Sequence, residues 1–369
     1  MKTDINSIIT FFDSLLNNQK RQYDWDNSGI QIYLGNKQIS RVGFALDPSE
    51  SVIEQAINKG CELLITHHPF FFSGFKSIDF KTLTGKKTIK AIQHGLNIIS
   101  YHTSYDLADY GLNDFIADKL DAKVITNFIK EGEEAYFKFA IYVPKNYKDE
   151  FIEILGNNGG GKIGNYSHCT FSTKGEGTFK PLENSNPFIG KTNELERVTE
   201  IKIETIVSEK NLSKLISAAL KAHPYEEPAY DILPLKLSKP YGLGRVCKFD
   251  NEFTIEEFLK TISNKLKIKY IRHNCTNLNY KFTKFAVVTG SGASLWKKCL
   301  NKGVNIYITG DLKHHEALDA MEEGVNIIDV GHFETERIFV EYLSNLIKRE
   351  FNIETIILNE DAKIKTWRQ

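Results

Sequence analysis

A chain of 369 residues, 41% hydrophobic and 25% charged, is long for one domain, comfortable for two, and ordinary for a folded protein in water. Lysine plus arginine and aspartate plus glutamate balance at 47 each, which argues against nucleic acid or a membrane surface as the main partner. The five cysteines are scattered without a CxxC pair, so a disulfide framework and a thiolate zinc site are both disfavoured and a reducing, cytoplasmic location is expected.

The opening MKTDINSIITFFDSLL lacks the pattern of a signal peptide. Ile5, Ile8, Ile9, Phe12, Leu15 and Leu16 recur at helical spacing, and Asp4 and Asp13 interrupt any continuous apolar core. No apolar run is long enough to cross a bilayer. YDWDNSGIQI then carries a turn signal at Asp26, Asn27 and Gly29 that leads into a strand, and residues 41–46 form the next one. Pro48 and Ser49 open a helix with Val52, Ile53, Ala56 and Ile57 on one face, closed by Gly60.

The run CELLITHHPFFF, residues 61–72, organises the chain. Leu63, Leu64 and Ile65 make too short a run for a helix and predict a buried strand, which Pro69 stops. His67 and His68 thereby sit at the C-terminal edge of a strand, where open α/β sheets place their ligands; the plainer alternative is two polar residues opening a loop. The unit is β-α-β, which predicts parallel strands and a right-handed crossover. After an aromatic, glycine-bearing loop over 70–80, a helix near 88–94 ends at Gly95. A strand over 97–100 runs into SYHTSYDLADYGLND, with His102 and Asp106, and Asn113 suits the cap of the next helix.

From about Ala135 the pattern changes: strand 137–143, helix 149–155, a glycine run leading to a strand near Cys169, then strand 201–207, helix 212–222 and strand 229–235. That order matches a ferredoxin-like split pattern and predicts a self-contained insert. Within it, AHPYEEPAYD, with His223, Glu226 and Glu227, reads as a packed turn into a strand. Lys239, Pro240 and residues 241–244 mark the return, followed by helix 254–266 and strand 285–288. GSG at 290–292 could cradle a phosphate, but without the rest of a fingerprint a plain strand-to-helix turn is favoured.

NKGCELLITHH from Asn58 resembles NKGVNIYITGD from Asn301, and GLNIISYHTSYD from Gly95 resembles GVNIIDVGHFETE from Gly324. The chain repeats itself on either side of the insert, so the expected layout is a first repeat over 1–130, the insert over 131–236 and a second repeat over 237–369. The repeat pairs His102-xxx-Asp106 with His332-xxx-Glu336; if His332 begins a helix, Glu336 lies on the same face one turn on. Imidazole and carboxylate without thiolate suit zinc, iron(II), manganese or cobalt. Five or six ligands exceed one structural zinc and suit two divalent metals close together. An HxxxE on a helix is commonly a surface pair and HH before proline is little better; their coincidence at matching places of a repeat carries the argument. His315, in Lys313-His314-His315, could face the same pocket or simply the surface, while His94 suits a helix C-terminus.

ITHHPFFF, YHTSYDLADYGLND, ITGDLKHHEA and GHFETER, with WDNSG near the start, resemble the NIF3-like family, whose members also carry the name GTP cyclohydrolase 1 type 2 homologue. The resemblance covers essentially the whole chain and implies an α/β core of two duplicated repeats with mixed sheets, interrupted by a PII- or CutA-like α+β insert. It implies two divalent cations per chain, zinc first, on His67, His68, Asp106, His332 and Glu336, with His102 nearby as an occasional ligand. It further implies a homohexamer, a trimer of dimers. The expected activity is metal-dependent hydrolysis of a small molecule such as a nucleotide, with His102 or His315 moving a proton. The alternatives are a non-catalytic metal-binding regulatory protein and, against the neutral charge, a nucleic-acid-binding ring.

Overall fold

The computed structural model of the protein describes residues 2–16, 21–35, 38–74 and 76–364. The chain divides into two compact units, Met1–Glu131 with Tyr241–Gln369, and Gly132–Pro240 between them in sequence. The larger unit begins with α1 (Ile5–Leu16), β1 (Gly29–Ile32), β2 (Arg41–Ala45), α2 (Glu50–Asn58), β3 (Leu63–Thr66), α3 (Leu83–Gln93), β4 (Asn97–Ser100) and α4 (Leu112–Lys119). The long strand β5 (Lys123–Pro144) leads to α5 (Lys148–Asn157), β6 (Thr170–Phe179), β7 (Glu196–Ser208), α6 (Glu209–Ala222) and a second long strand, β8 (Tyr230–Thr254). The larger unit then resumes with α7 (Ile255–Leu266), β9 (Lys281–Val287), β10 (Ile306–Thr309), α8 (His314–Glu322), β11 (Asn326–Asp329), α9 (His332–Glu336), α10 (Ile338–Phe351) and β12 (Glu354–Ile357).

Two mixed sheets build the larger unit. The first has the order β12-β2-β3-β4-β1, parallel throughout except at β1. The second contains β11-β10-β9-β8, with β9, β10 and β11 parallel and β8 antiparallel to β9. Strands β3 and β10 are buried along their whole length because helices cover both faces of each sheet, which is why both read as unbroken apolar runs. On one face of the first sheet α1 buries Ile5, Ile8, Phe12 and Leu16 beside α10; burying each is worth about 1.5–3 kcal/mol. On the other face lie α2 and α3. Helix starts follow the expected chemistry: Ser49 and Thr82 cap α2 and α3, and Thr254 and Glu257 cap α7 reciprocally.

In the unit Gly132–Pro240 the element order is β-α-β-β-α-β, and β7 lies between β5 and β6 in antiparallel pairing. Along β7, Ile201, Ile203 and Val207 alternate inward onto Phe151 and Leu155 of α5 and Leu215 and Ala219 of α6. No helix among the described residues is long and apolar enough to cross a membrane.

Two strands run further than their sequence pattern predicts. Strand β5 starts at Lys123, where Lys130, Glu131, Glu133 and Glu134 break the apolar alternation. Strand β8 passes straight through Pro240, Gly242 and Gly244, residues that read as a break. At Gly242 a side chain would stand 1.8 Å from the Ile129 carbonyl oxygen, so glycine here permits a close strand approach rather than a turn.

Candidate metal centre

Side chains from both sheets of the larger unit meet just beyond the C-terminal ends of parallel strands, where strand carbonyls stop pairing and loops can turn functional groups inward. His67 and His68 directly follow β3, His102 follows β4, and His332 opens α9 after β11. Glu336 ends that single-turn helix, so it shares a face with His332, whose Nε2 lies 3.0 Å from Glu336 Oε2. His102 likewise precedes one helical turn, Thr103–Asp106, that ends on Asp106.

Every imidazole is gripped at Nδ1 and presents Nε2 to the centre. His67 Nδ1 donates to the Tyr101 carbonyl at 2.8 Å, His68 Nδ1 to Asp47 Oδ1 at 2.7 Å, His102 Nδ1 to Asp26 Oδ1 at 2.8 Å and His332 Nδ1 to Asp311 Oδ2 at 2.8 Å. A carbonyl or carboxylate accepts only, so each contact keeps a proton on Nδ1 and makes Nε2 the nitrogen that can ligate once the ring is neutral. The rings are 5.2 Å apart for His67–His68 and His67–His102, and 5.5 Å for His68–His102 and His68–His332. Inside this ring Glu336 spreads its two oxygens: Oε1 lies 3.7 Å from His67 Nε2 and Oε2 lies 3.1 Å from His68 Nε2. Asp106 Oδ1 approaches His67 Nε2 to 3.9 Å.

The donor set fits a cation. His67 Nε2 and Asp106 Oδ1 are buried with no hydrogen-bond partner, a costly arrangement for the protein alone and a suitable one for metal ligands. Two groups of donors, His67 with His68 and His102, and His68 with His332 and Glu336, each fall within 4.8 Å of one another. Electrostatics in the metal-free protein agree. Burial would lower the His68 pKa, but Asp47 and Glu336 push it up to about 10. The hydrogen bond to Glu336 pushes His332 up to about 9. Burial would raise Glu336, yet the three facing imidazoles hold it well below the usual carboxylate range; Asp106, poorer in partners, is raised by burial. Both histidines therefore take up protons to satisfy a carboxylate that a cation would otherwise satisfy.

All of His67, His68, His102, Asp106, His332 and Glu336 come together. His315 does not join them: it is exposed on α8, outside both donor groups, because the turn before α8 directs the start of that helix to solvent. The GSG turn, by contrast, belongs to the centre in an unexpected way. Gly290 has φ +67°, its amide donates to Thr335 Oγ1, and a Cβ there would stand 2.1 Å from Glu336 Oε1. It is a wall of the centre rather than a phosphate cradle.

Three carboxylates that orient the imidazoles, Asp26, Asp47 and Asp311, escape motif reasoning. Asp26 accepts from Ser28 Oγ, from both the amide and hydroxyl of Thr103, and from His102; these bonds outweigh its burial and hold its pKa well below the usual range. A signal was available for Asp311, which stands in ITGD where the first repeat has His68 in ITHH. Asp47 and Asp311 each lie two residues past a parallel strand, the same address as the histidines.

The description of the Duf34/NIF3 (NGG1p interacting factor 3) family matches residues 3–363. A Halalkalibacterium halodurans protein named GTP cyclohydrolase 1 type 2 homolog is 43% identical over 308 residues, 83% of this chain and 82% of that one. A Bacillus subtilis (strain 168) protein of the same name is 40% identical over 317 residues, 86% and 84% of the two chains. The crystal structure of a Bacillus cereus protein related to NIF3 superposes with a TM-score of 0.84 at 34% identity, over 99% of each chain.

Proposed function

This chain belongs to the Duf34/NIF3 family, and on that footing we propose that it is a hydrolase using two divalent metal ions. The observation that carries the reading is the set of three imidazoles, His67, His68 and His332, whose Nε2 atoms face Glu336, with His102 beside His67 and His68 and every ring held from behind at Nδ1. His67, His68, Asp106, His332 and Glu336 would hold the cations; Glu336 faces His67 with Oε1 and both His68 and His332 with Oε2. Zinc is the first choice for such N/O donors, followed by iron, manganese and cobalt. Bound there, two such cations would supply polarisation of a substrate bond and a water brought close to ionisation at neutral pH. His102, held at Nδ1 by Asp26, would accept and return a proton; His315 is exposed and outside both donor groups.

The mouth of the centre supports a planar substrate. Trp25 is 61% exposed and Phe72 56% exposed, yet each lies with its ring centroid 5.8 Å from His102. Tyr23 stacks behind Trp25 at 5.6 Å and steadies the indole. Open aromatic faces beside a metal centre suit a heteroaromatic ring such as a nucleobase. The family layout proposed from the sequence, two duplicated repeats around a PII-like insert in a hexameric ring, is part of the same reading; light scattering of the purified protein tests the assembly.

The activity is tested by nucleotide turnover, GTP included, with the metal-loaded wild type and the His332→Ala, Glu336→Ala double variant. Turnover in the wild type that disappears with the metal in the variant is expected. A fully loaded wild type that turns over no nucleotide would favour a metal-binding regulatory protein instead.

A further inference from the structure

The unit Gly132–Pro240 contains a cavity of about 500 Å³, a size typical of small-molecule sites, and the metal chemistry makes no use of it. Its lining carries four aromatic rings: Tyr142 on β5, Phe179 at the end of β6, Phe188 in the loop beyond, and Tyr225. The ring of Tyr225 stands 5.9 Å from Phe179 and 6.2 Å from Phe188.

His223 positions Tyr225. It is buried, its Nε2–H donates to the Tyr142 carbonyl at 2.9 Å, and its Nδ1 accepts the Tyr225 amide at 3.0 Å. One ring nitrogen donating and the other accepting is the neutral tautomer, and burial lowers the pKa in the same sense. The HPYEEP motif is therefore a neutral staple that turns Tyr225, Glu226 and Glu227 onto one wall.

The polar lining is predominantly acidic. Among the described residues, Glu176, Glu200, Glu226 and Glu227 face a single lining cation, Lys180. Arg197 neutralises Glu176 at 2.7 Å, and Glu226 accepts the Asn186 amide at 2.9 Å. The Glu200 carboxylate lies over Gly177, where a Cβ would come within 2.1 Å of Oε2. Glu200 in turn helps burial push the Tyr225 hydroxyl up to about 12, which keeps it a neutral phenol. Aromatic faces with carboxylates beside them attract a cation on two counts, ring quadrupole and charge, and repel an anion on both.

We propose that this cavity binds a small organic cation, an amine whose apolar body lies against Tyr142, Phe179, Phe188 and Tyr225 and whose ammonium meets Glu200 and Glu227. The site is separate from the metal centre, whose residues all belong to the other unit.

The test is titration calorimetry of the full-length, metal-loaded protein with tryptamine, and with indole-3-propionate as the acid carrying the same ring. Tryptamine is expected to saturate one site per chain, about tenfold or more tighter than the acid, and to weaken about tenfold in the Glu200→Gln, Glu227→Gln double variant. Neither substitution removes buried apolar area, so an unchanged thermal melt is expected alongside. The His332→Ala variant should bind tryptamine as the wild type does. Absence of saturable tryptamine binding, equal affinity for the acid, insensitivity to the double variant, or loss of binding in His332→Ala would each overturn the proposal.

Discussion

Replacing Gly290 by alanine isolates the geometry on which the metal centre depends. The added Cβ would stand 2.1 Å from Glu336 Oε1 and 3.5 Å from His332 Nε2. Relief to a tolerable contact of about 3 Å requires a shift of about 1 Å, and close-packed interiors resist such shifts. Glu336 cannot swing away cheaply, because it is buried and its carboxylate faces His67, His68 and His332. Disturbing the surroundings of a metal ligand typically costs about 10- to 100-fold in metal affinity, which is the loss expected for Gly290→Ala. The substitution also carries a backbone cost of about 1–2 kcal/mol, since φ is +67°. Gly303→Ala supplies the control: its φ is +61° and nothing lies within 4 Å of its Cβ, so it bears the backbone cost without the collision. Competition against a chromophoric chelator reads the affinity, and thermal melts of the metal-free proteins read the stability. Destabilisation of both variants, larger in Gly290→Ala because the collision adds to the backbone cost, with affinity lost only in Gly290→Ala, is expected. Wild-type affinity in Gly290→Ala, or an equal loss in both, would refute the reasoning.

Asp47→Asn and Asp311→Asn keep the shape behind His68 and His332 but remove the charge, and each should weaken metal binding by about 10- to 100-fold in the same competition assay. Metal binding should release protons, because His68 and His332, raised to about 10 and about 9, are both protonated at neutral pH in the metal-free protein. Affinity must then rise with pH up to about 10 and fall on acidification; calorimetry in two buffers of different ionisation enthalpy counts the protons, and a count of zero would contradict the shifts. Phe339→Ala removes a fully buried ring that packs 5.0 Å from His67 and 5.2 Å from Tyr105, and denaturant unfolding should show a loss of about 3–5 kcal/mol. Trp25→Ala should raise KM for a nucleotide substrate several-fold with kcat and metal content little changed, whereas a fall in kcat alone would place Trp25 in the chemistry instead of the binding of the ring.

How far the centre could be read from the chain depends on how local each signal is. His67 and His68 are adjacent, follow an apolar run and precede a proline, so strand end and ligand identity are written in twelve residues. His332 and Glu336 are four apart and need only a helix to meet, which the structure supplies as α9. Asp26, Asp47 and Asp311 are different: each is a single acidic residue in a turn, where aspartate is common for conformational reasons alone. Their partners lie 76, 21 and 21 residues away, so only the folded sheets disclose them. His315 shows the converse error, in which nearness along the chain to ITGD suggested nearness in space although a new helix had already turned outward. The long strands β5 and β8 were obscured because charges, Pro240 and Gly242 look like linker chemistry, and only the close approach at Ile129 explains the glycine.

The central claim is that this ring of imidazoles and carboxylates holds two divalent metals, and elemental analysis of the purified protein addresses it most directly. About two equivalents of metal per chain are expected in the wild type and close to none in the His332→Ala, Glu336→Ala variant, with the variant still folded by circular dichroism. A wild type that carries no metal, and takes up none from zinc, iron(II), manganese or cobalt, would contradict the account.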